Sequence, residues 1–216
     1  MKTKNISKEL EIISEKIRAS LSDKDSAREQ CLKSCREIIR LSSTAIRAVH
    51  RREREQAAEL ISQAGALVMK TQAELIKKHP DIINANYVHD SFKEYAEASI
   101  TFAIIFNRSI PDPDKLHVAY PAYLNGLAES VGEMRRYVLD SLRSNEFVVA
   151  EELLSVMDHI YTILVTMDFP DAVTYGLRRN TDSVRGIIEK TRGDLTLLIQ
   201  NNMLQKKISL LERKIR

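Results

Sequence analysis

The stretch from Ser26 to His79, SAREQCLKSCREIIRLSSTAIRAVHRREREQAAELISQAGALVMKTQAELIKKH, contains no proline and a single glycine. Its apolar residues, among them Leu32, Ile39, Ala45, Ile46, Val49, Leu60, Ala64, Leu67, Val68, Leu75 and Ile76, recur at helical spacing. Ser26 followed by Glu29 has the form of a capping box and predicts a helix start there. A run of this length exceeds an ordinary globular helix, so a break is expected near Arg51–Glu55, and Pro80 ends the run. Upstream, Ile6, Leu10, Ile13, Ile17 and Leu21 predict a separate helix over residues 5–22. Downstream, a helix is expected over 84–107. Its second half, Ala98 to Phe106, is apolar on nearly every side and therefore buried all round. Asn107 to Ala119, with Pro111 and Pro113, reads as a loop. Tyr120–Pro121 puts proline at the start of a helix that runs to Ser144. Residues 146–168 form another helix, and the chain from Pro170 stays helical to its end.

The composition agrees. Gly and Pro together number 11 of 216 residues, roughly 5% against about 12% in average usage. Turns draw on these residues, so β-sandwiches, barrels and collagen-like folds are excluded. The chain is expected to be all-α: a single-domain bundle of about six or seven helices over residues 1–216, several of them long, with residues 201–216 as a C-terminal helical extension. There is no internal repeat and no Ser/Gly/Pro-rich linker. Apolar residues make up 44% of the chain and charged residues 29%, which suits a folded core with a soluble surface. Cys31 and Cys35 cannot make a disulfide framework. No stretch reaches the roughly 18 to 20 apolar residues of a membrane span, and the opening MKTKNISKEL lacks the apolar segment of a signal peptide. The expected location is cytoplasmic, with no membrane partner.

The net charge of +3 hides a division along the chain. Residues 1–80 hold 17 Lys and Arg against 11 Asp and Glu, a net of +6. Residues 81–171 hold 6 against 15, a net of −9. Residues 172–216 hold 10 against 4, a net of +6. An acidic middle between basic ends is the first functional signal.

Within that middle, Glu94 and Glu97 stand at i, i+3 and share one helix face, where the helix turns from polar to apolar. Partial burial there calls for a metal or a basic partner; the alternative is a solvated or salt-bridged pair. Glu129 and Glu133 stand at i, i+4 on another face, among the small residues Gly126, Ala128, Ser130 and Gly132 that admit a close neighbouring helix. Two such pairs can hold a hard cation such as Mg²⁺. The alternative pairs Glu133 with Arg135 or Arg136 and leaves the rest on the surface. Arg47, His50, Arg51 and Arg54 fall on one face at helical spacing, a stripe suited to a phosphate backbone or to plain solvation beside Glu53 and Glu55. No Glu-x-x-His, Gly-x-Gly-x-x-Gly or Walker loop occurs, and Cys31 and Cys35 read as packed core thiols. His89 and Asp90 precede the Glu94 face and read as surface residues, with contact to a nucleic acid as the alternative. At the end of the chain, Leu204, Ile208, Leu211 and Ile215 repeat at 4-3-4 spacing. That seam fits packing on the protein's own body or on a partner helix.

Lys93-Glu-Tyr-Ala-Glu-Ala98 and Tyr123-Leu-Asn-Gly-Leu-Ala-Glu-Ser-Val-Gly-Glu-Met-Arg-Arg136 resemble the central segments of the translin family, more closely its catalytic branch, translin-associated factor X, than translin itself. Arg36-Glu-Ile-Ile-Arg-Leu-Ser42 with Val49-His-Arg51 resembles the family's second helix, and Asp171 through Leu198 its last. The likeness spans roughly residues 25–200. It implies a subunit of about seven helices, assembled into a hollow homo-oligomer, an octamer, that binds single-stranded RNA or DNA. For the catalytic branch it implies an endoribonuclease dependent on Mg²⁺, or Mn²⁺ in its place. Glu94 and Glu97 match that branch's paired glutamates. Glu129 stands where the branch has its catalytic aspartate, and Glu133 matches a further acidic position. The loop at 107–120 is shorter than in that branch, and the tail beyond about residue 200 runs past the family's usual end.

Three functions follow as expectations. The first is a metal-dependent ribonuclease with Glu94, Glu97 and Glu129 as catalytic and metal-holding residues, Glu133 beside them on the metal, and Arg47, His50, Arg51 and Arg54 on the nucleic acid. The second is a non-catalytic single-strand binder of the translin type. The third is a structural helical assembly protein.

Overall fold

The computed structural model describes the backbone of residues 2–215, and side chains for residues 6–74 and 79–213. The chain is helical almost throughout: α1 Lys2–His50, α2 Arg54–Lys78, a 3₁₀ turn Ile82–Asn84, α3 Asn86–Ile105, α4 Pro113–Leu116, α5 Tyr120–Arg143, α6 Phe147–Val165, α7 Asp171–Thr174 and α8 Leu177–Ile215. Six are long and two are single turns. The all-α bundle expected from composition is what forms. Among the described residues, no helix is long and apolar enough to cross a membrane.

Three boundaries differ from the sequence reading. The helix expected to run unbroken from Pro170 is interrupted at Tyr175–Gly176, both at positive φ, which leaves α7 a single turn before α8. The predicted start at Ser26 is not there, because α1 runs unbroken through it. Ser26 instead turns its hydroxyl back onto the carbonyl of Ser22, 2.9 Å away, the mid-helix alternative to capping. The Pro111–Pro113 loop is also not wholly irregular. Asp112 caps a one-turn helix by accepting from the Lys115 N–H at 2.8 Å.

The break near Arg51 is real, and its chemistry accounts for the scarcity of glycine. Arg52 sits at φ 60°, its N–H donates to the Val49 carbonyl at 2.9 Å, and the Glu53 N–H donates to the Ala48 carbonyl at 2.9 Å. That is the Schellman arrangement, ordinarily closed by glycine. Asn107 (φ 49°), His117 (φ 53°) and Asn145 (φ 61°) repeat it, with Arg108, Val118 and Glu146 donating to Ala103, Pro113 and Ser141. With Tyr175 (φ 53°) closing α7, five helices thus end on side-chain-bearing residues in the left-handed region.

The core is layered around α3. α1 and α2 pack on one side, α5 on the other, and α6 and α8 close the far side of α5. Ala98, Ile100, Thr101 and Ala103 of α3 are buried, as the apolar run predicts, although Phe102 and Ile104–Phe106 are only half-buried. Cys31 and Cys35 lie in the core as free thiols with sulfurs 3.8 Å apart. The side chains of Leu75, Ile76 and Ile215, named above for their spacing, lie outside the described ones.

Two stretches leave this body. In α1 before Ala27, Ile6, Leu10, Ile13, Ile17 and Leu21 are exposed. In α8 the last core residue is Leu195, and Leu204, Ile208 and Leu211 are exposed. The terminal seam therefore does not pack on its own body.

His117 is exposed and holds a left-handed conformation that costs a residue with a Cβ roughly 1–2 kcal/mol. His117→Gly is expected to be neutral or to stabilise by up to about 1 kcal/mol, and His117→Val to destabilise by about 1–2 kcal/mol. Urea denaturation of the full chain measures both, and a Val variant as stable as the Gly variant contradicts the capping account.

Candidate metal and nucleic-acid site

The site begins with a close approach of two helices. A Cβ placed on Gly126 of α5 would lie 2.7 Å from the Lys93 carbonyl oxygen and 2.9 Å from the Glu97 nitrogen of α3. Only glycine fits there. Ala128 and Ser130 are buried as well, whereas a Cβ on Gly132 would meet nothing within 4 Å, so Gly132 takes no part in the contact.

Glu129 lies three residues beyond Gly126, on the side of α5 that faces α3. Carboxylate oxygens of Glu94, Glu97 and Glu129 lie within 4.8 Å of one another. Glu97 is 7% exposed, and Glu94 and Glu129 are half-buried. The three glutamates singled out for spacing on two separate helices are thus brought together. Oxygen-only donors at this separation suit a hard divalent ion such as Mg²⁺.

Glu133 departs from the expectation. It stands outside this group of three and accepts a hydrogen bond from His50 Nε2 at 2.5 Å, not one from Arg135 or Arg136. Arg135 instead reaches α8, where it donates to Asp194 and Thr191 at 2.8 and 2.9 Å. The bond from His50 holds the Glu133 carboxyl below the usual range.

Lys93 is the cation the spacing argument left unnamed. Its ammonium donates to Glu129 Oε1 at 2.7 Å and lies 3.6 Å from Glu94. Burial works to lower its pKa, but the facing carboxylates raise it above the ordinary value. Lys93 stands beside Glu94 in the sequence, yet its pairing crosses to α5, and helical spacing carries no information about that.

One cation among these carboxyls leaves Glu97 in deficit. Burial first, then the charges of Glu94, Glu129 and Glu133, push its carboxyl up to about 8, against the pull of Lys93. Burial also raises Glu94, with Glu129 adding to the effect and Lys93 opposing it.

Beside Glu129 opens a cleft of about 660 Å³, lined by Glu129 and Lys93 together with His89, Tyr175, Arg179 and Asn180. The residues from 175 onward come from the α7–α8 junction. Asn125, buried on α5, pins that junction: its amide donates to the Pro121 and Thr174 carbonyls, and its oxygen accepts from Asn180 Nδ2, each at 2.8 Å. Tyr175 (φ 53°) and Gly176 (φ 81°) make the sharp entry into α8. The Tyr175 ring stacks on His89, with centroids 4.2 Å apart and planes 9° apart. His89, expected at the surface or against a nucleic acid, is half-buried, and burial lowers its pKa. Tyr175, Arg179 and Asn180 escaped the sequence reading because they reach the site from some 80 residues away.

The basic stripe is not one helix face. α1 ends at His50, Arg51 lies in the turn and Arg54 opens α2. The His50 side chain is 5% exposed and turned inward to Glu133. Arg47 and Arg51 are exposed, held by Thr44 and Glu53. The left-handed Arg52 breaks the phase that the spacing argument assumed.

No family model matches the chain. An uncharacterized protein of Methanocaldococcus jannaschii (MJ0175) is 31% identical over 188 residues, covering 86% of this chain and 82% of its own. Among solved structures, AfC3PO in a complex with duplex RNA has a TM-score of 0.80 at 33% identity, covering 88% of this chain and 97% of that one. AfC3PO determined separately gives 0.79, with the same identity and 98% of its chain covered. Apo-NeC3PO gives 0.77 at 20% identity, covering 85% and 96%, a likeness of fold alone.

In metal-free buffer the folded chain holds the Glu97 proton up to about pH 8, while the unfolded chain releases it near the ordinary 4.5. Between these values the folded state binds more protons. The Glu97 contribution is therefore most favourable below about pH 4.5 and worsens as pH rises toward 8, by up to about 1.4 kcal/mol per pH unit. Urea denaturation in EDTA from pH 5 to 8.5 should show Glu97→Gln gaining stability on wild type as pH rises. Parallel curves for the two proteins would place the charge of Glu97 elsewhere.

Proposed function

This chain belongs to the translin family, and we propose that it is a nucleic-acid-binding protein of that family that cleaves RNA with a divalent metal at Glu94, Glu97 and Glu129. The observation that carries this reading is the convergence of three carboxylates from two helices around a buried, under-compensated Glu97. A fold can be inherited without an activity, so the weight rests on these residues rather than on the architecture.

The three glutamates would hold Mg²⁺, or Mn²⁺, through oxygen alone. When bound, the ion supplies a more acidic water and offsets charge building on the scissile phosphate. Lys93, bonded to Glu129 and beside Glu94, would share those oxygens with a bound ion, and its ammonium is placed to donate to a phosphate there. Glu129 has one methylene more than the aspartate of the catalytic branch; its 2.7 Å bond to Lys93 and its proximity to the two α3 glutamates support its taking that place. His50 and Glu133 act as positioning residues, tying the end of α1 to α5 one turn beyond Glu129. Arg179 in the cleft, with Arg47, Arg51 and Arg54 at the α1–α2 turn, takes the phosphate backbone. Tyr175 and His89 offer ring faces to a base.

The RNA in the AfC3PO complex is duplex, whereas the family resemblance implies single strands, so the test includes both. Labelled single-stranded and duplex RNA are incubated with the protein in Mg²⁺ or EDTA. Cleavage is expected in Mg²⁺ only. Glu97→Gln and Glu129→Gln should each lower it by more than the roughly 10–100-fold that follows loss of an outer-sphere partner. Cleavage unchanged in both variants removes this site.

A second reading, binding without cleavage, has its own support in the Lys93–Glu129 bond, which already supplies a cation to the cluster. Binding by RNA with no metal-dependent product selects it. Under either reading Arg179→Ala is expected to reduce the slope of log affinity against log salt by about 1, measured by fluorescence anisotropy from 50 to 300 mM salt.

A further inference from the structure

The exposed end of α8 has a regular seam that the nucleic-acid reading does not use. Leu197, Asn201, Leu204, Ile208, Leu211 and Ile215 alternate at spacings of four and three. The described apolar members are open: Leu197 is 62% exposed, Leu204 56%, Ile208 47% and Leu211 59%. Ile199, between them, is still half-buried against the core, so the seam points away from the body that holds the helix.

In heptad terms the leucines occupy d, while Asn201, Ile208 and Ile215 occupy a. Isoleucine at a with leucine at d favours two parallel strands, and a lone asparagine at a fixes register and strand number. The flanking charges agree. Lys207 stands at g and Glu212 at the next e, both exposed. Five residues apart on one helix, they lie about 140° from each other and cannot pair within the chain. Across a parallel, in-register pair, Lys207 of each strand meets Glu212 of the other, twice by symmetry. The preceding g and e positions, Gln200 and Gln205, are uncharged. An antiparallel pair sets g against g and e against e, bringing like charges together.

We propose that residues 197–215 form a parallel, two-stranded coiled coil with the same segment of a second copy of this chain. The segment is too short to hold two free chains together strongly by itself. It acts as an added link between copies already held at high local concentration by other contacts of their bodies, or between two such assemblies. The proposal is independent of whether the carboxylates cut RNA.

The test uses the full chain with Leu204→Cys, a d-position reporter. Cys31 and Cys35 are buried and stay out of the reaction. Mild oxidation without nucleic acid is followed by denaturing, non-reducing electrophoresis, with circular dichroism confirming that each variant is folded. A covalent dimer is expected. Adding Ile208→Glu should abolish it. Adding Lys207→Glu should slow its formation by about threefold to tenfold, and Lys207→Glu with Glu212→Lys should restore the rate. Absence of a cross-link in folded Leu204→Cys overturns the proposal. So does a cross-link formed only when Ile13→Cys is also present, which would make the occupant the N-terminal arm. Failure of the charge exchange to restore the rate overturns the parallel register.

Discussion

The contact between α3 and α5 at Gly126 governs the rest of the structure. There the two helix backbones touch with no side chain between them. From that point helical geometry leaves little freedom: one turn along α5 brings Glu129 over the α3 glutamates, and the next turn brings Glu133 to the end of α1. A methyl group at 126 would push the helices apart and spread the carboxylates. The residue that makes the cluster possible thus has no side chain of its own. Asn125, its neighbour, fixes the other wall of the cleft through two hydrogen bonds, to Thr174 and Asn180. Two adjacent residues therefore set both the floor and one side of the site.

The division of charge along the chain acquires a spatial meaning. The acidic middle supplies Glu129, which joins the carboxylate cluster to the cleft, and the basic C-terminal segment supplies Arg179 to that cleft. The basic N-terminal segment approaches from the opposite direction, its last inward group, His50, ending on Glu133. Clustering carboxylates in a half-buried crevice carries a large desolvation cost. Lys93 and His50 offset part of it, and the remainder is concentrated on Glu97. This local destabilisation inside an otherwise well-packed bundle is one that a bound cation would relieve.

Much of this was legible in the sequence, and the failures have definite causes. Helical periodicity, proline placement and the lack of turn residues were enough for the all-α bundle and for four of its long helices. Spacing found the pairs Glu94–Glu97 and Glu129–Glu133, because i, i+3 and i, i+4 geometry within one helix survives folding unchanged; that the two helices meet was not in it. The false start at Ser26 came from a local signal that an extended amphipathic helix overrides. The basic stripe failed because a left-handed arginine, which no propensity anticipates, breaks the phase between His50 and Arg54. Lys93, Tyr175 and Arg179 were invisible for another reason: their roles depend on which helices lie side by side, and no local pattern encodes that. Glu133 was found by spacing, but its partner was not, since His50 approaches from 83 residues away.

α8 is a single helix from the cleft residue Arg179 to the exposed Leu211. Nothing interrupts it, although Gly186 and Gly193 lie within it. Each residue adds about 100° of rotation and 1.5 Å of length, so the direction of the terminal seam is phase-locked to the cleft by residue count alone. Losing one residue between them would swing the seam by more than a quarter of a turn while leaving both ends chemically intact. Losing seven would return it to within about 20°. The length of this segment, rather than its composition, is what relates the two ends of the helix to each other.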